Sequence, residues 1–195
     1  MISAIVLAAG QSRRMGRNKL LLPFGAATVI ETVVSEVAAC EQVRDIVVVT
    51  GHENEKIATR LAHLPARCAF NPAYLQAEMF VSIQVGLRAL TDETQAALLV
   101  LGDQPRLQRD IVQRVIAAHA PDTLVIPSYH MQRGHPILID RALWPEVQAQ
   151  PATATLRDFI RVHEQQIQYV EVETDSVLKD IDTPEEYESL LADEK

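Results

Sequence analysis

The chain has 195 residues, 48% of them hydrophobic. That is enough for one sizeable core and small for two, so a single domain spanning residues 1–195 is expected. A net charge of −8 and a pI near 5.2 argue against the broad basic face used in general nucleic-acid binding, and no stretch approaches the roughly 18–20 apolar residues that span a bilayer.

The amino terminus places its apolar run before its charges, the reverse of a secretory leader, so a cytoplasmic location is expected. Cys40 and Cys68 show no metal-type spacing and read as two reduced core thiols. The charge is unevenly distributed. Arg13, Arg14, Arg17 and Lys19 precede the first acidic residue, Glu31, so an acidic protein opens with thirty residues of charge +4. A phosphorylated ligand is the natural counter-charge for such a reversal.

In chain order, Ile2 to Ala8 is an apolar strand running into Ala9-Gly10 and a cationic loop punctuated by Gly16. Leu20 to Gly25 reads as a short extended segment. Thr28, with Glu31 three residues on, forms a capping box ahead of a helix to about Cys40. Asp45 to Thr50 is a β-branched run suited to a strand covered on both faces. Glu53 to Ala62 is a helix, and Arg67 to Asn71 a strand. This alternation marks a parallel sheet with helices on both sides, because parallel strands need crossovers.

Met79 to Leu90 is helical, and Ala96 to Leu101 is a second strongly apolar strand, stopped by Gly102-Asp103-Gln104-Pro105. The two most apolar strands, the first and this one, fit a central position. Arg109 to His119 is a helix and Thr123 to Pro127 a strand. Gly134 to Ile139 follows too closely for a crossover and should run antiparallel to the rest. Arg141 to Val147 and Thr155 to about His163 are helical, and Ile167 to Val172 is the last strand. Thr183 caps, and Pro184 opens, a terminal helix to about Leu191.

In an open parallel sheet, ligands gather at the carboxyl ends of the strands. The loop after the first strand, Asp103, and Asp182 all fall at such ends. The first loop lacks the Gly-Lys-Ser/Thr ending of a P-loop and the glycine spacing of a dinucleotide fingerprint. Its glycines let the backbone approach phosphate oxygens while Arg14 and Lys19 supply charge. Asp103 also reads as a strand-end turn former, and Asp182 as a residue complementing a helix dipole. The histidines other than His135 have no metal-type spacing, and Trp144 reads as a core or lid aromatic.

Leu7 to Lys19, LAAGQSRRMGRNK, resembles the LAAGxSxRMGxxK signature of the molybdenum cofactor cytidylyltransferases and their nucleotidyltransferase relatives. Gly102 to Pro105 resembles that family's GDxP, Arg133 to Pro136 its RGHP, and Asp180 to Glu185 its DIDTPE. The resemblance implies a Rossmann-like three-layer α/β/α sandwich, mostly parallel with one antiparallel strand, of the nucleotide-diphospho-sugar transferase fold. It implies transfer of CMP from CTP, or of a nucleotide from another NTP, to the terminal phosphate of molybdopterin, with pyrophosphate leaving.

By the same matching, Leu7, Ala8, Ala9 and Gly10 belong to the nucleotide site, with Arg14 and Lys19 holding the triphosphate. Asp103 and Asp182 would hold Mg²⁺ or Mn²⁺, and Asp180 either shares that duty or serves as a turn residue. Arg14, Lys19 and Asp103 form the catalytic set, while Ser82, Arg133 and His135 are placed beside the acceptor. Ala9, where GTP-using relatives carry Gly, resembles the cytidine branch and could crowd a purine. Arg13 and Arg17 match variable positions and read as solvent-facing helpers. A molybdoenzyme partner is implied, whereas neither nucleic acid nor membrane is. Two departures fall on the acceptor side: Glu78 precedes Met79 where relatives carry glycine, and no GDxGxR-like stretch follows RGHP. Transfer to another phosphorylated acceptor and, in a different class, a non-catalytic protein that binds and delivers nucleotide or molybdenum cofactor are the alternative readings.

Overall fold

The structure is a computed structural model and describes residues 1–75 and 79–192. Its elements are β1 (Ile2–Ala8), a hairpin of β2 (Pro23–Phe24) and β3 (Ala27–Thr28), α1 (Val29–Ala38), β4 (Val43–Thr50), α2 (Asn54–Leu61) and β5 (Arg67–Phe70). There follow α3 (Met79–Ala89), β6 (Ala96–Leu101), α4 (Arg109–Ala117), β7 (Leu124–Tyr129), β8 (Gln132–Arg133) and β9 (Ile137–Asp140). The last elements are α5 (Trp144–Ala149), α6 (Leu156–Val162), β10 (Ile167–Glu171) and α7 (Pro184–Ala192).

Local chemistry sets the helix boundaries. The Thr28 hydroxyl accepts from the Glu31 amide at 3.4 Å while the Glu31 carboxylate accepts from the Thr28 amide at 2.9 Å, completing the capping box of α1. The same arrangement opens α7, where Glu186 N–H donates to the Thr183 hydroxyl and the Glu186 carboxylate accepts from the Asp182 and Thr183 amides.

The sheet order is β10-β7-β9-β6-β1-β4-β5, with β8 pairing on β7. The central pair is therefore β6 and β1, the two most apolar strands, and β1 lies parallel to both β4 and β6. β9 runs antiparallel to both neighbours, β6 and β7. The two-residue β8, a hairpin extension of β7, is a second antiparallel piece that has no apolar pattern of its own.

Alternation along β1 divides the core. Ala4, Val6 and Ala8 face a cluster containing apolar residues of α1, α2, α4 and α7. Ile5 and Leu7 face a cluster from α3, α5 and α6, which includes Trp144. The result is the expected three layers. Cys40 is buried, but Cys68 is exposed, because it lies on the edge strand β5 with one face uncovered. No helix among the described residues is long and apolar enough to cross a membrane.

Candidate functional site

A cavity of about 330 Å³ opens at the carboxyl edge of the central strands. One wall is the loop after β1. Its course is fixed by a 3₁₀ turn at Arg13–Met15, flanked by left-handed Ser12 and Gly16 and pinned by buried Met15. The Ser12 hydroxyl accepts from the Lys19 amide at 3.2 Å, and Asn18 caps a second turn at Lys19–Leu21. Gly10 is exposed, with open space where a Cβ would stand, so the loop presents bare backbone to whatever occupies the cavity.

Asp103 follows β6, one strand away from this loop. The Gly102 amide donates to the Leu7 carbonyl at 3.0 Å, so the ends of β1 and β6 stay in register as they leave the sheet. The chain returns to the site much later. The Ile181 amide donates to the Asp103 carbonyl at 3.2 Å, which sets Asp182 beside Asp103.

The charged side chains then interlock. Lys19 Nζ lies 2.5 Å from Asp103 Oδ2 and 2.9 Å from Asp182 Oδ1, and Arg14 Nη2 lies 2.5 Å from Asp182 Oδ2. Burial by itself would lower the pKa of the Lys19 ammonium, but Asp103 and then Asp182 outweigh it and raise it, so the group stays charged. Burial pushes Asp182 up, and hydrogen bonding and charge from Lys19, joined by Arg14, bring its carboxyl below the usual range. Asp180 is raised instead, by burial and by the neighbouring charges of Asp103 and Asp182. Each of Asp103, Asp180 and Asp182 offers an oxygen within 4.8 Å of the others. Such an all-oxygen, acidic donor set suits a hard divalent cation that also binds phosphate oxygens.

Of the residues singled out in sequence, the structure brings Leu7, Ala8, Ala9, Gly10, Arg14, Lys19, Ser82, Asp103 and Asp182 to this one cavity. Ser82 enters from α3, and its hydroxyl accepts from the Asn71 side chain at 3.0 Å. Arg133 does not line the cavity. Its guanidinium donates to the Tyr169 hydroxyl at 2.7 Å and to Glu164 at 3.3 Å, across β8 and β10.

His135 also lies outside the lining. Its amide donates to the Val177 carbonyl, its Nδ1 is buried without a partner, and burial pushes its pKa down to about 4 against a hydrogen bond to the Leu99 backbone. Six lining residues, Ser12, Arg13, Leu20, Tyr74, Met79 and Leu101, were not assigned to the site from sequence. Arg13 was recognisable only as part of the charge cluster, and Tyr74 carries no motif. Glu78, the departure beside Met79, lies outside the described residues.

Parallel β1 and β6, a glycine loop, two cations and an acidic cluster at one sheet edge define a nucleotidyltransferase. The comparisons specify the kind: residues 4–169 match the MobA-like NTP transferase domain, and the chain belongs to that family. It is 28% identical over 187 residues to the molybdenum cofactor cytidylyltransferase of Escherichia coli (strain K12), covering 95% of this chain and 93% of that one. It is 29% identical over 199 residues to nicotine blue oxidoreductase of Paenarthrobacter nicotinovorans, covering 97% and 96% respectively. In structure it is similar to a Mycobacterium tuberculosis rv0371c homolog from Mycobacterium sp. strain JC1, with a TM-score of 0.87 and 25% identity over 98% of this chain and 96% of that chain.

Proposed function

We propose that this enzyme is a cytidylyltransferase that depends on a divalent metal and transfers CMP from CTP to the terminal phosphate of a molybdopterin-type acceptor. The observation that carries the reading is the meeting of Arg14 and Lys19 with Asp103 and Asp182, which are far apart in sequence, around one cavity. The curated cytidylyltransferase relative, matched over nearly the full length of both chains, supports the choice of substrates.

The roles follow from position. Arg14 and Lys19, with the open backbone at Gly10, bind and neutralise the triphosphate. The uncharged lining of Ala8, Ala9, Tyr74 and Met79 is left for the nucleoside, and Ser82 for the acceptor. Asp103 and Asp182 would hold Mg²⁺ or Mn²⁺, with Asp180 close enough to share that duty, and the ion would offset charge on the phosphates. An acceptor phosphate oxygen forms the new bond to the α-phosphorus. The bond from that phosphorus to the bridging oxygen breaks, and pyrophosphate departs with the electron pair. Orientation and charge neutralisation are the protein's main contributions to such a transfer.

A pyrophosphate-release panel of four triphosphates against molybdopterin-type and other phosphorylated acceptors tests the reading. The expected outcome is turnover with CTP and the molybdenum cofactor. The Asp103→Ala variant should lose that turnover by roughly 10²-fold or more while keeping its circular dichroism spectrum. Wild-type turnover in the variant would remove the mechanism, and pyrophosphate release only with another acceptor would reassign the substrate. Tight, metal-independent CTP binding with no pyrophosphate from any pairing would instead support a delivery protein.

A further inference from the structure

A choice among bases has to be made at the uncharged end of the cavity, because the charged end meets only phosphate, which all triphosphates share. Among the described residues, Tyr74 is the one aromatic side chain in the lining. It is held from several directions. A Cβ on Gly51 would stand 2.6 Å from Tyr74 Cβ, 2.7 Å from Tyr74 Cγ and 2.6 Å from the Ala9 carbonyl oxygen. Only glycine allows the end of β4, the Tyr74 side chain and the LAAG loop to meet this closely.

The backbone carrying the ring is also anchored. Buried Asn71 donates its amide to the Thr50 carbonyl at 2.8 Å, and its side chain accepts from the Ala73 amide and donates to Ser82. The Tyr74 amide closes the turn onto the Asn71 carbonyl at 3.3 Å. The rings of Phe70 and His52 flank Tyr74 at 6.2 and 6.5 Å. A side chain seated on backbone and fixed at its turn cannot swing aside cheaply, so it acts as a wall.

We propose that Tyr74, seated on Gly51 against Ala9, is a specificity-determining residue that closes the base subsite to purines. The inference rests on the triphosphate reading of the cavity and adds to it a residue that sets base size. A purine carries a second fused ring, and a rigid wall converts that extra ring into overlap. Ala9 and Tyr74 work as one surface, because Gly51 holds them together.

The test is calorimetric titration of wild type, Tyr74→Ala and Tyr74→Phe with CTP, UTP, GTP and ATP in the presence of Mg²⁺ and without acceptor. Tyr74→Ala should bind GTP and ATP more tightly and CTP more weakly, lowering the pyrimidine-to-purine affinity ratio at least tenfold. Tyr74→Phe, which keeps the ring, should hold the wild-type ratio. If Tyr74→Ala does not fold, Tyr74→Leu replaces it with the same expectation.

A merely structural role would weaken all four nucleotides alike, and an unchanged ratio overturns the proposal. So does a wild-type protein that binds purine and pyrimidine triphosphates equally, an outcome that leaves the triphosphate reading intact. Failure of wild type to bind any triphosphate removes that reading, and this inference with it.

Discussion

Asp182→Asn should make the protein bind CTP more tightly when no metal is present. In the structure the two cations assigned to the triphosphate are already engaged by the two carboxylates assigned to the metal. The formal charge of Arg14, Lys19, Asp103 and Asp182 together is zero, so a metal-free triphosphate finds no net attraction there and must displace Asp182 from both cations. With a neutral amide in place of the Asp182 carboxylate, the same group carries +1. One unit charge acting on one phosphate charge at about 5 Å is worth about 0.8 kcal/mol in water and about 3 kcal/mol at an effective dielectric of about 20. The Arg14 side chain is 68% exposed and that of Asp182 27%, which places the gain towards the lower value. About 1–2 kcal/mol follows, or about 5- to 30-fold in affinity. Titration calorimetry with CTP in EDTA reads it directly. The same variant should lose most of the extra affinity that Mg²⁺ confers on wild type, so metal and nucleotide become uncoupled. Metal-free affinity that stays constant or falls in Asp182→Asn would refute the idea that the carboxylates hold the cations back from phosphate.

Two further substitutions test the packing behind the site. In Gly134→Ala the new Cβ would stand 2.6 Å from the Val177 carbonyl oxygen and 2.7 Å from its Cβ, a backbone clash expected to cost about 1–3 kcal/mol; an unchanged urea midpoint would contradict that approach. His135, ordinarily near 6.5 and held at about 4 here, should make the fold acid-sensitive. Between those values the unfolded chain binds the proton that the native ring refuses, so stability is present above pH 6.5 and lost as pH falls towards 4, by about 2–3 kcal/mol at about pH 4.5. Glu31, Asp140 and Asp182, all held low, lose their contribution only below their ordinary 4.5 or 3.8. Urea unfolding at about pH 7 and about pH 4.5 should therefore show a smaller difference in His135→Leu than in wild type; equal differences would mean the ring protonates freely in the native state.

The sheet was legible because its strands are short apolar runs separated by amphipathic helices, and the closeness of Gly134 to Ile126 already required the reversal seen in β9. What escaped has a physical reason in each case. β8 is two exposed polar residues whose pairing depends on a turn through left-handed His130 and Met131, not on side-chain pattern. Cys68 looked like a core thiol because free cysteine is generally buried, but that tendency does not tell an edge strand from a central one. At the site, Arg14, Lys19, Asp103 and Asp182 announced themselves by charge at strand ends. Tyr74 did not, since its place depends on Gly51 two strands away from β6, a close approach that sequence spacing does not encode.

Three of the motifs hold one another before they hold any ligand. The Val177 carbonyl accepts from the His135 amide at 2.9 Å and from the Gln104 side chain at 3.4 Å, and Gly134 packs against the same residue at a distance that admits no side chain. A few residues on, the Ile181 amide is bonded to the Asp103 carbonyl, and Asp182 emerges within reach of Lys19 and Arg14. GDQP and RGHP thus form a clasp on the segment that leads into DIDTPE. An aspartate on a long return loop would otherwise sample many positions, and about 1–2 kcal/mol of backbone entropy per residue opposes fixing it. The clasp absorbs that cost away from the cavity, in buried hydrogen bonds and glycine packing. A residue in RGHP can therefore govern the site without lining it, and the Gly134→Ala variant should displace Asp182 as well as lower stability. The separation of those two effects is measurable: at temperatures where the variant is still fully folded, its CTP affinity should lose part of the Mg²⁺ dependence, as in Asp182→Asn.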